Sequence, residues 1–325
     1  MGVIKTIERQ FLSDQFNQSA LHANTTRNNM GIVSLIYSAL SDVQKRAALQ
    51  YSKDSYNLDF NTEVATITRK QMNLKGFENT LDLGCGCVPD IRQLAADKGY
   101  SGNLICVDDE KVMLDDLNKT LIENQIIDFG SKFNVKTYEC DITSTSLGML
   151  ESDSVHNARM IRVYQWLGTS SVKALKELAR VVKEGGTIVI ADELYALSGL
   201  KTNKNLGFNH NKFLWSIFTT NEKESQSGCD AASLHIEKTL ESDMKSSGLR
   251  DINTIIYISK TQSWDDLDHF IGVTRKREFV VDAGIYLAEE FDRRVQVIKA
   301  ALSNNEAWMI RKFQISTGKP ANTSE

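Results

Sequence analysis

Proline and glycine are scarce in this 325-residue sequence, which contains 2 prolines and 19 glycines. Together they make up about half of their share in average proteins, which excludes collagen-like repeats and low-complexity segments. Runs of apolar residues are also short, and none approaches the roughly 18 residues that a membrane-spanning helix needs. The first residues carry charges at Lys5, Glu8 and Arg9, so the apolar region of a signal peptide is lacking there. We therefore expect a cytoplasmic protein with no membrane contact.

An excess of positive charge is also missing: 38 Lys and Arg against 42 Asp and Glu give a net charge of −4. Nucleic-acid binding depends on clustered cations that neutralise phosphates, so we expect no nucleic-acid partner. The five cysteines include no C-x2-C pair. We therefore expect no metal site and reduced thiols, as in the cytosol. What remains, 41% hydrophobic and 25% charged residues, is typical of a globular protein with a sizeable core.

The first 75 residues are predicted to be helical. Apolar residues recur in steps of three and four over residues 30–49, which indicates an amphipathic helix. A second helix is predicted over residues 59–73, ending near Gly76. We interpret residues 1–75 as a helical N-terminal cap and residues 76–325 as one domain.

The periodicity changes at residue 79, where short apolar runs begin to alternate with helical patterns. Strands are predicted at residues 80–83, 104–107, 133–140, 154–157, 187–191, 252–259 and 308–315. Helices are predicted at 90–99 and 110–125 and from Ser170 or Ser171 to Gly185. Such alternation predicts an α/β fold in which a mostly parallel sheet carries helices on both faces.

Acidic residues and glycines follow several of these strands. Leu81 to Gly86 reads LDLGCG, and Asp108 stands 22 residues after Gly86. Glycines after a first strand allow a ligand to approach the backbone, and an acid after the second strand can accept both hydroxyl groups of a ribose. Pro89 occupies the place of the third glycine of a dinucleotide fingerprint. Asp82 would repel a pyrophosphate but suits a cationic ligand with an amine and a sulfonium. These two residues argue against a nicotinamide dehydrogenase.

At these residues the sequence resembles the class I S-adenosylmethionine (SAM)-dependent methyltransferases. Leu81 to Gly86 is similar to the first motif of that family. Four later segments resemble its further motifs: Val107-Asp108 with Met113-Leu114, Glu139 to Ile142, Asp153 to Asn157, and Arg180 to Thr187, the last usually written R-V-L-K-P-G-G. Two positions depart from the pattern, because Val88 stands where a third glycine is common and Asp109 where an apolar residue is common.

The resemblance implies a seven-stranded sheet with the last strand antiparallel, SAM as the cofactor, and methyl transfer by in-line displacement. It implies that Asp108 holds the ribose and that Asp141 faces the adenine amino group. The implied cofactor-binding residues are Asp82, Gly84, Cys85, Gly86, Asp108, Asp109, Met113, Asp141, Ile142 and Asn157.

Three residues are candidates for the catalytic site. Arg159 could orient a carboxylate or phenolate acceptor, although a surface arginine at a helix start is the competing interpretation. Glu193, after the fifth strand, could accept a proton or face the sulfonium, and a solvated loop acid is equally consistent. His210 is a candidate base in a cap segment, where a lone histidine is more often a surface residue.

Cap inserts are predicted at about residues 195–230 and 261–305, where they could cover the carboxyl ends of the strands. This placement favours a small or medium-sized organic acceptor for the methyl group. Two alternatives stay open: methylation of RNA or protein, and a SAM-binding fold that does not consume its cofactor, such as a cyclase or regulator. A homodimer is possible.

Overall fold

The computed structural model describes residues 59–74, 78–88, 90, 93–94, 102–123, 134–143, 146–194, 197–219, 236, 239–282 and 284–321. Of the predicted N-terminal cap, residues 1–58 and 75 lie outside the described residues, as do residues 195, 196 and 220–230 of the first insert. No helix in the described ranges combines the length and the apolar character that crossing a membrane requires.

A single sheet forms the centre of the described structure. Its strands are β1 (Asn79–Leu83), β2 (Asn103–Asp108), β3 (Asn134–Glu139), β4 (Val155–Ile161), β5 (Val182–Glu193), β6 (Gly199–Thr202), β7 (Leu249–Thr261) and β8 (Ala307–Pro320). The order is β3-β2-β1-β4-β5-β8-β6, and β7 also pairs with β8. Strands β1 to β5 are parallel, and β8 is antiparallel to β5, β6 and β7. The predicted α/β fold with a mostly parallel sheet and an antiparallel last strand is confirmed.

Two details of the sheet differ from the prediction. The described residues form eight strands rather than seven. The additional strand is the short β6, which was not predicted because it lies in a polar segment. Strand β4 ends at Ile161, four residues beyond the predicted end at residue 157. Ala158 to Met160, near the end of β4, are buried, so neither face of the strand is exposed there. A strand buried on both faces lacks the alternation that marks a strand end in a sequence.

Helices cover both faces of the sheet. They are α1 (Asp59–Met72), α2 (Lys111–Glu123), α3 (Tyr164–Leu167), α4 (Ser171–Val181), α5 (His210–Thr219), α6 (Trp264–Ile271), α7 (Val273–Asp282) and α8 (Ala288–Ser303). Helix α4 buries Ala174, Leu175, Leu178 and Val181, which recur in steps of one, three and three along one stripe. This stripe packs against Ile188 and Ile190 of β5. On the opposite face, Val64 and Met72 of α1 pack against β5 and β8.

A second apolar core is built on the first half of β8. Glu193, at the carboxyl end of β5, pairs with Phe313, so residues 307–312 of β8 extend past the carboxyl end of β5. There Ala307 and Met309 pack with buried residues of α5 and α8, such as Phe213 and Phe291. This core, with α5 to α8 around it, is called the cap core below. It lies at the edge of the sheet where the parallel strands end.

The turn into β5 generates a prediction about stability. A Cβ atom on Gly186 would lie 2.2 Å from the carbonyl oxygen of His156 and 2.9 Å from that of Lys183. We expect Gly186→Ala to lower the free energy of unfolding by about 1–3 kcal/mol, because backbone must move to accept the methyl group. Urea unfolding measures the change. Gly148→Ala is the control, since its Cβ would meet its nearest neighbour at 3.5 Å. Equal stability of the two variants would contradict the packing described here.

Candidate cofactor site and active site

A tight turn follows β1 and is fixed to the end of β2. The backbone N–H groups of Gly84 and Cys85 both donate to the carbonyl oxygen of Val107, at 2.8 and 3.1 Å. Gly84 and Gly86 have φ angles of +67° and +53°, in the left-handed region that glycine adopts at little cost. A Cβ on Gly84 would lie 2.3 Å from Val163, whereas one on Gly86 would meet nothing within 4 Å. The turn therefore packs against the segment after β4 and leaves open space beside Gly86.

Val88 shares this left-handed conformation, with φ at +41°. A β-branched residue at positive φ is an outlier, because its side chain crowds the backbone. Val88, which replaces a glycine of the family pattern, thus has the backbone conformation that a glycine would favour. Buried contacts of Val88 with the side chains of Cys85 and Leu94 accompany this shape.

Asp108 ends β2 beside this turn. One carboxylate oxygen accepts a hydrogen bond from the Gly86 N–H at 2.7 Å, and the other accepts one from the Glu110 N–H at 3.0 Å. Burial raises the pKa of Asp108 to about 7, against the lowering effect of these two hydrogen bonds. A carboxylate and an open glycine backbone on one edge of the sheet are the groups that a ribose needs. The residues present therefore fit SAM, and Asp108 stays the predicted ribose ligand.

Asp82 faces a buried cation rather than an open pocket. The guanidinium of Arg159, 2% exposed, donates to Asp82 at 2.6 Å and to both oxygens of Asp90 at 2.8 Å. Arg69 of α1 also donates to Asp90 at 2.8 Å. Burial raises the pKa of Asp82 more than Arg159 lowers it. At Asp90 burial also acts upward, but the two arginines outweigh it and hold the pKa below its usual range.

The position of Arg159 bears on its predicted role. It pairs in register with Asp82 in the middle of the sheet, and its described partners are carboxylates of the protein. A surface position at a helix start, the competing interpretation, is excluded by its burial. Contact with an acceptor stays a prediction that no described contact of Arg159 supports.

The other predicted cofactor residues fall into two groups. Cys85, Asp109, Met113, Asp141 and Ile142 lie at or just after the carboxyl ends of β1, β2 and β3. Asp141 accepts hydrogen bonds from the backbone and the hydroxyl group of Thr143, which shape the turn after β3.

Asn157 lies elsewhere. It pairs with Thr80 near the start of β1, and its amide donates to Glu78. Because β4 continues to Ile161, Asn157 does not reach the edge where Gly86 and Asp108 meet.

The two remaining catalytic candidates are also engaged with the protein. Glu193 is fully buried, and its carboxylate accepts two hydrogen bonds from Arg311, at 2.9 and 2.8 Å. It is therefore not a solvated loop acid. His210 begins α5, and its Nε2 lies 3.1 Å from the carbonyl oxygen of Leu200. Burial lowers the pKa of His210. Proton transfer by either residue stays a prediction.

Three residues at this edge were missed in the sequence. Asp90 was noted only as the first residue of a predicted helix, and Arg162 and Arg311 were not singled out. Arg162 directly follows β4, and its guanidinium lies 3.3 Å from Glu193. An arginine directly after a strand that ends in Arg-Met-Ile was a usable signal for Arg162. No sequence signal marked Arg311, because its partner is 118 positions away.

Comparison with known proteins identifies the domain. Residues 81–190 match the family model described as "Methyltransferase domain". A search of curated proteins gave no match. The match to the family model covers about a third of the chain; it supports a SAM-dependent methyltransferase domain at residues 81–190, with SAM as the cofactor.

Several solved structures are similar to this chain at low identity. One is phosphoethanolamine N-methyltransferase 2 from Haemonchus contortus with SAM, at TM-score 0.49 and 15% identity, over 87% of this chain and 58% of that one. Another is cyclopropane synthase MmaA2 from Mycobacterium tuberculosis, at 0.46 and 11%, over 97% and 98%. A third is geranyl diphosphate C-methyltransferase from Streptomyces coelicolor A3(2), at 0.42 and 12%, over 79% of both chains. The chain thus spans 58% of the length of the Haemonchus enzyme.

The buried network predicts a large effect of Arg159 on stability. We expect Arg159→Met to lower the free energy of unfolding by about 3–5 kcal/mol, because Asp82 is left without its cation in a buried position. Urea unfolding at neutral pH measures the loss. Lys111→Met is the control: it removes an exposed ion pair with Asp115 and should leave the stability nearly unchanged. A small effect of Arg159→Met would show that Asp82 and Asp90 do not depend on this cation.

The raised pKa of Asp108 predicts opposite pH effects on folding and on cofactor binding. A carboxyl whose folded pKa is raised stabilises the fold below its unfolded pKa near 4 and loses that stability as the pH rises to about 7. Ribose hydroxyls donate to the ionised form. We therefore expect the affinity for S-adenosylhomocysteine to increase about eightfold from pH 6 to 7.5, as the ionised fraction increases.

Isothermal titration calorimetry across this range measures the affinity. Asp108→Asn is the matched control, because its amide does not titrate. The variant should bind weakly at every pH and should lose less stability between pH 4 and 7 than the unsubstituted chain. A pH-independent affinity of the unsubstituted chain would contradict the assignment of Asp108.

Proposed function

We propose that this chain transfers the methyl group of SAM to an O, N or C nucleophile of a small or medium-sized organic molecule beneath a helical cap. One observation supports the size of the acceptor. The cap core is built on the part of β8 that passes the carboxyl ends of the parallel strands. It therefore lies at the same edge as Gly86 and Asp108, where an enclosed acceptor can be shielded from water.

The proposed domain organisation follows the chain. Residues 1–75 would form the N-terminal cap, and residues 76–325 the methyltransferase domain with inserts at 195–230 and 261–305. Helix α5 falls in the first insert, and helices α6 to α8 in the second. Side chains of both inserts meet in the cap core, for example Phe213 against Phe291 with ring centroids 5.4 Å apart. This joint packing supports two inserts acting as one cap.

Each part of the site has a separate task in the proposed reaction. SAM, when bound, supplies a methyl group on a positively charged sulfur. Asp108 would hold the ribose, and the turn at Gly84 to Gly86 would let the cofactor approach the backbone. In-line displacement requires chiefly alignment and exclusion of water, so a positioned cap contributes more than any single proton acceptor. A small-molecule acceptor, the absence of a nucleic-acid partner, a cytoplasmic location and a possible homodimer stay predictions.

Label transfer from SAM tests the proposal. The protein is incubated with methyl-tritiated SAM and a cell extract, and the products are separated by ultrafiltration. We expect new labelled compounds in the low-mass fraction and equimolar S-adenosylhomocysteine. Gly84→Ala should abolish both, because its Cβ would clash with Val163 at 2.3 Å and displace the cofactor turn.

Gly207→Ala is the matched control, since Gly207 has a similar φ of +77° but open space around its Cβ. It should keep full activity. Label in RNA or protein would favour the macromolecular alternative. Binding of SAM without formation of S-adenosylhomocysteine would favour a fold that does not consume the cofactor.

A further inference from the structure

A buried amide side chain follows β4 at the carboxyl edge of the sheet. Gln165 stands in α3, two residues after Val163, which fills the space beside Gly84. Gln165 is 8% exposed, and within the described part of the chain its buried side-chain oxygen has no hydrogen-bond partner. A buried polar atom without a partner costs free energy, so such an atom marks a place where a ligand or a water molecule is expected.

A buried carboxyl group lies against the same short helix. Asp192, the last residue but one of β5, is fully buried, and neither of its oxygens makes a hydrogen bond of ordinary geometry to a described residue. Burial raises the pKa of Asp192, and the approaching backbone N–H groups of Gln165 and Tyr164 and the cation of Arg162 offset this only in part. Gln165 and Asp192 thus contribute three buried acceptor atoms to one small region.

The order of the strands puts this region on the acceptor side of the cofactor turn. Along the sheet the order is β2-β1-β4-β5, and Asp108, the predicted ribose ligand, ends β2. The Arg162 N–H donates to the carbonyl oxygen of Ala191, so Asp192 lies level with the residues that follow β4. Neighbouring strands are about 4.8 Å apart. A cofactor with its ribose over β2 that crosses Gly86 would therefore extend toward β4, and an acceptor beyond its sulfur would meet β5.

The kind of atom left without a partner indicates which ligand group fits. All three atoms are hydrogen-bond acceptors, two on a carboxyl group and one on an amide. A hydroxyl group donates one hydrogen bond, whereas an amino group has two or three N–H donors. A protonated amine also supplies the charge that a buried carboxylate needs. An amino group therefore fits these atoms better than a hydroxyl group or an anion does.

We propose that Gln165 and Asp192 bind an amino group of the methyl acceptor, so that the acceptor is a primary or secondary amine. This inference rests on the function proposed above and names its substrate class. The three catalytic candidates from the sequence, Arg159, Glu193 and His210, all have partners within the protein. Gln165 and Asp192 instead keep acceptor atoms for a ligand. They orient the acceptor, and the methyl group goes to this nitrogen or to another nucleophile of the same molecule.

Selective acetylation of amines tests the substrate class. One portion of the low-mass fraction of a cell extract is treated with N-acetoxysuccinimide, which acetylates primary and secondary amines, and a second portion receives the hydrolysed reagent. Excess reagent is hydrolysed before the protein and methyl-tritiated SAM are added. We expect acetylation to reduce label transfer at least about tenfold, because an acetylated nitrogen loses its charge and most of its N–H donors. Equal transfer in both portions would overturn the inference. Absence of transfer from both would overturn the proposed function instead.

The variant Gln165→Met separates a ligand-binding role from a structural one. It removes an unpartnered buried amide at similar volume, so the urea midpoint of unfolding should rise rather than fall. The extract concentration that gives half-maximal label transfer should increase at least about tenfold, the value of one hydrogen bond from a charged donor. The affinity for S-adenosylhomocysteine, measured by calorimetry, should stay the same. Asp192→Asn should also increase the half-saturating extract concentration, because its amide presents N–H donors to the amino group.

Thr80→Val is the matched control. The Thr80 hydroxyl is likewise buried without a partner among the described residues, but it lies near the start of β1, at the opposite end of the sheet. This variant should leave the half-saturating extract concentration unchanged. A lower urea midpoint of Gln165→Met together with an unchanged half-saturating concentration would overturn the inference. So would loss of S-adenosylhomocysteine binding in both Gln165→Met and Asp192→Asn, since these residues would then serve the cofactor site.

Discussion

One buried cation between two carboxylates connects the parts of the cofactor site. Arg159 joins Asp82 of β1 to Asp90 beyond the glycine turn, and Arg69 extends the connection to α1. Buried charged groups that are shielded from water must be paired with opposite charges, so these side chains fix one another's positions. The turn between Asp82 and Asp90 is thereby held from both ends. The open backbone at Gly86 depends on this restraint.

The same principle of paired charges operates a few residues further along the carboxyl edge, with a different balance. At Arg159 one cation meets two acids, and one of these, Asp90, also binds Arg69 of α1. At Glu193 one acid meets two cations, and one of these, Arg162, is partly exposed. The first arrangement is complete within the protein and serves the structure. The second joins the carboxyl end of β5 to β8 and to the residue after β4.

Much of the sheet was predictable because each strand leaves a local mark. The runs before Gly84 and before Asp108 are short, apolar and followed by polar residues, and the structure has β1 and β2 there. The seven predicted strands did not include β6, whose four residues stand in a polar segment. The end of β4 was placed four residues too early, because a segment with the charged Arg159 does not look like the interior of a strand. Asn157 was therefore predicted at the wrong edge.

Side-chain partners were less predictable than strands. Arg159 meets Asp82 only because β1 and β4 pair in a particular register, and 77 positions separate the two residues. The burial of Glu193 likewise depends on Arg311 of a strand near the end of the chain. Periodicity shows which face a residue occupies but not which residue faces it. The cofactor residues near Gly86 and Asp108 were found because neighbouring strands bring short motifs together at one edge.

Strand β8 has a mechanical consequence for the cap. Its 14 residues pair with β6 at one end and with β5 at the other, while β7 runs beside it for most of that length. One continuous ladder, that with β7, thus spans the junction, and hinges normally use loops rather than paired strands. The cap core cannot swing outward as a rigid body without breaking that ladder. We therefore expect molecules to enter and leave while this scaffold stays closed, through local rearrangement of side chains at its border.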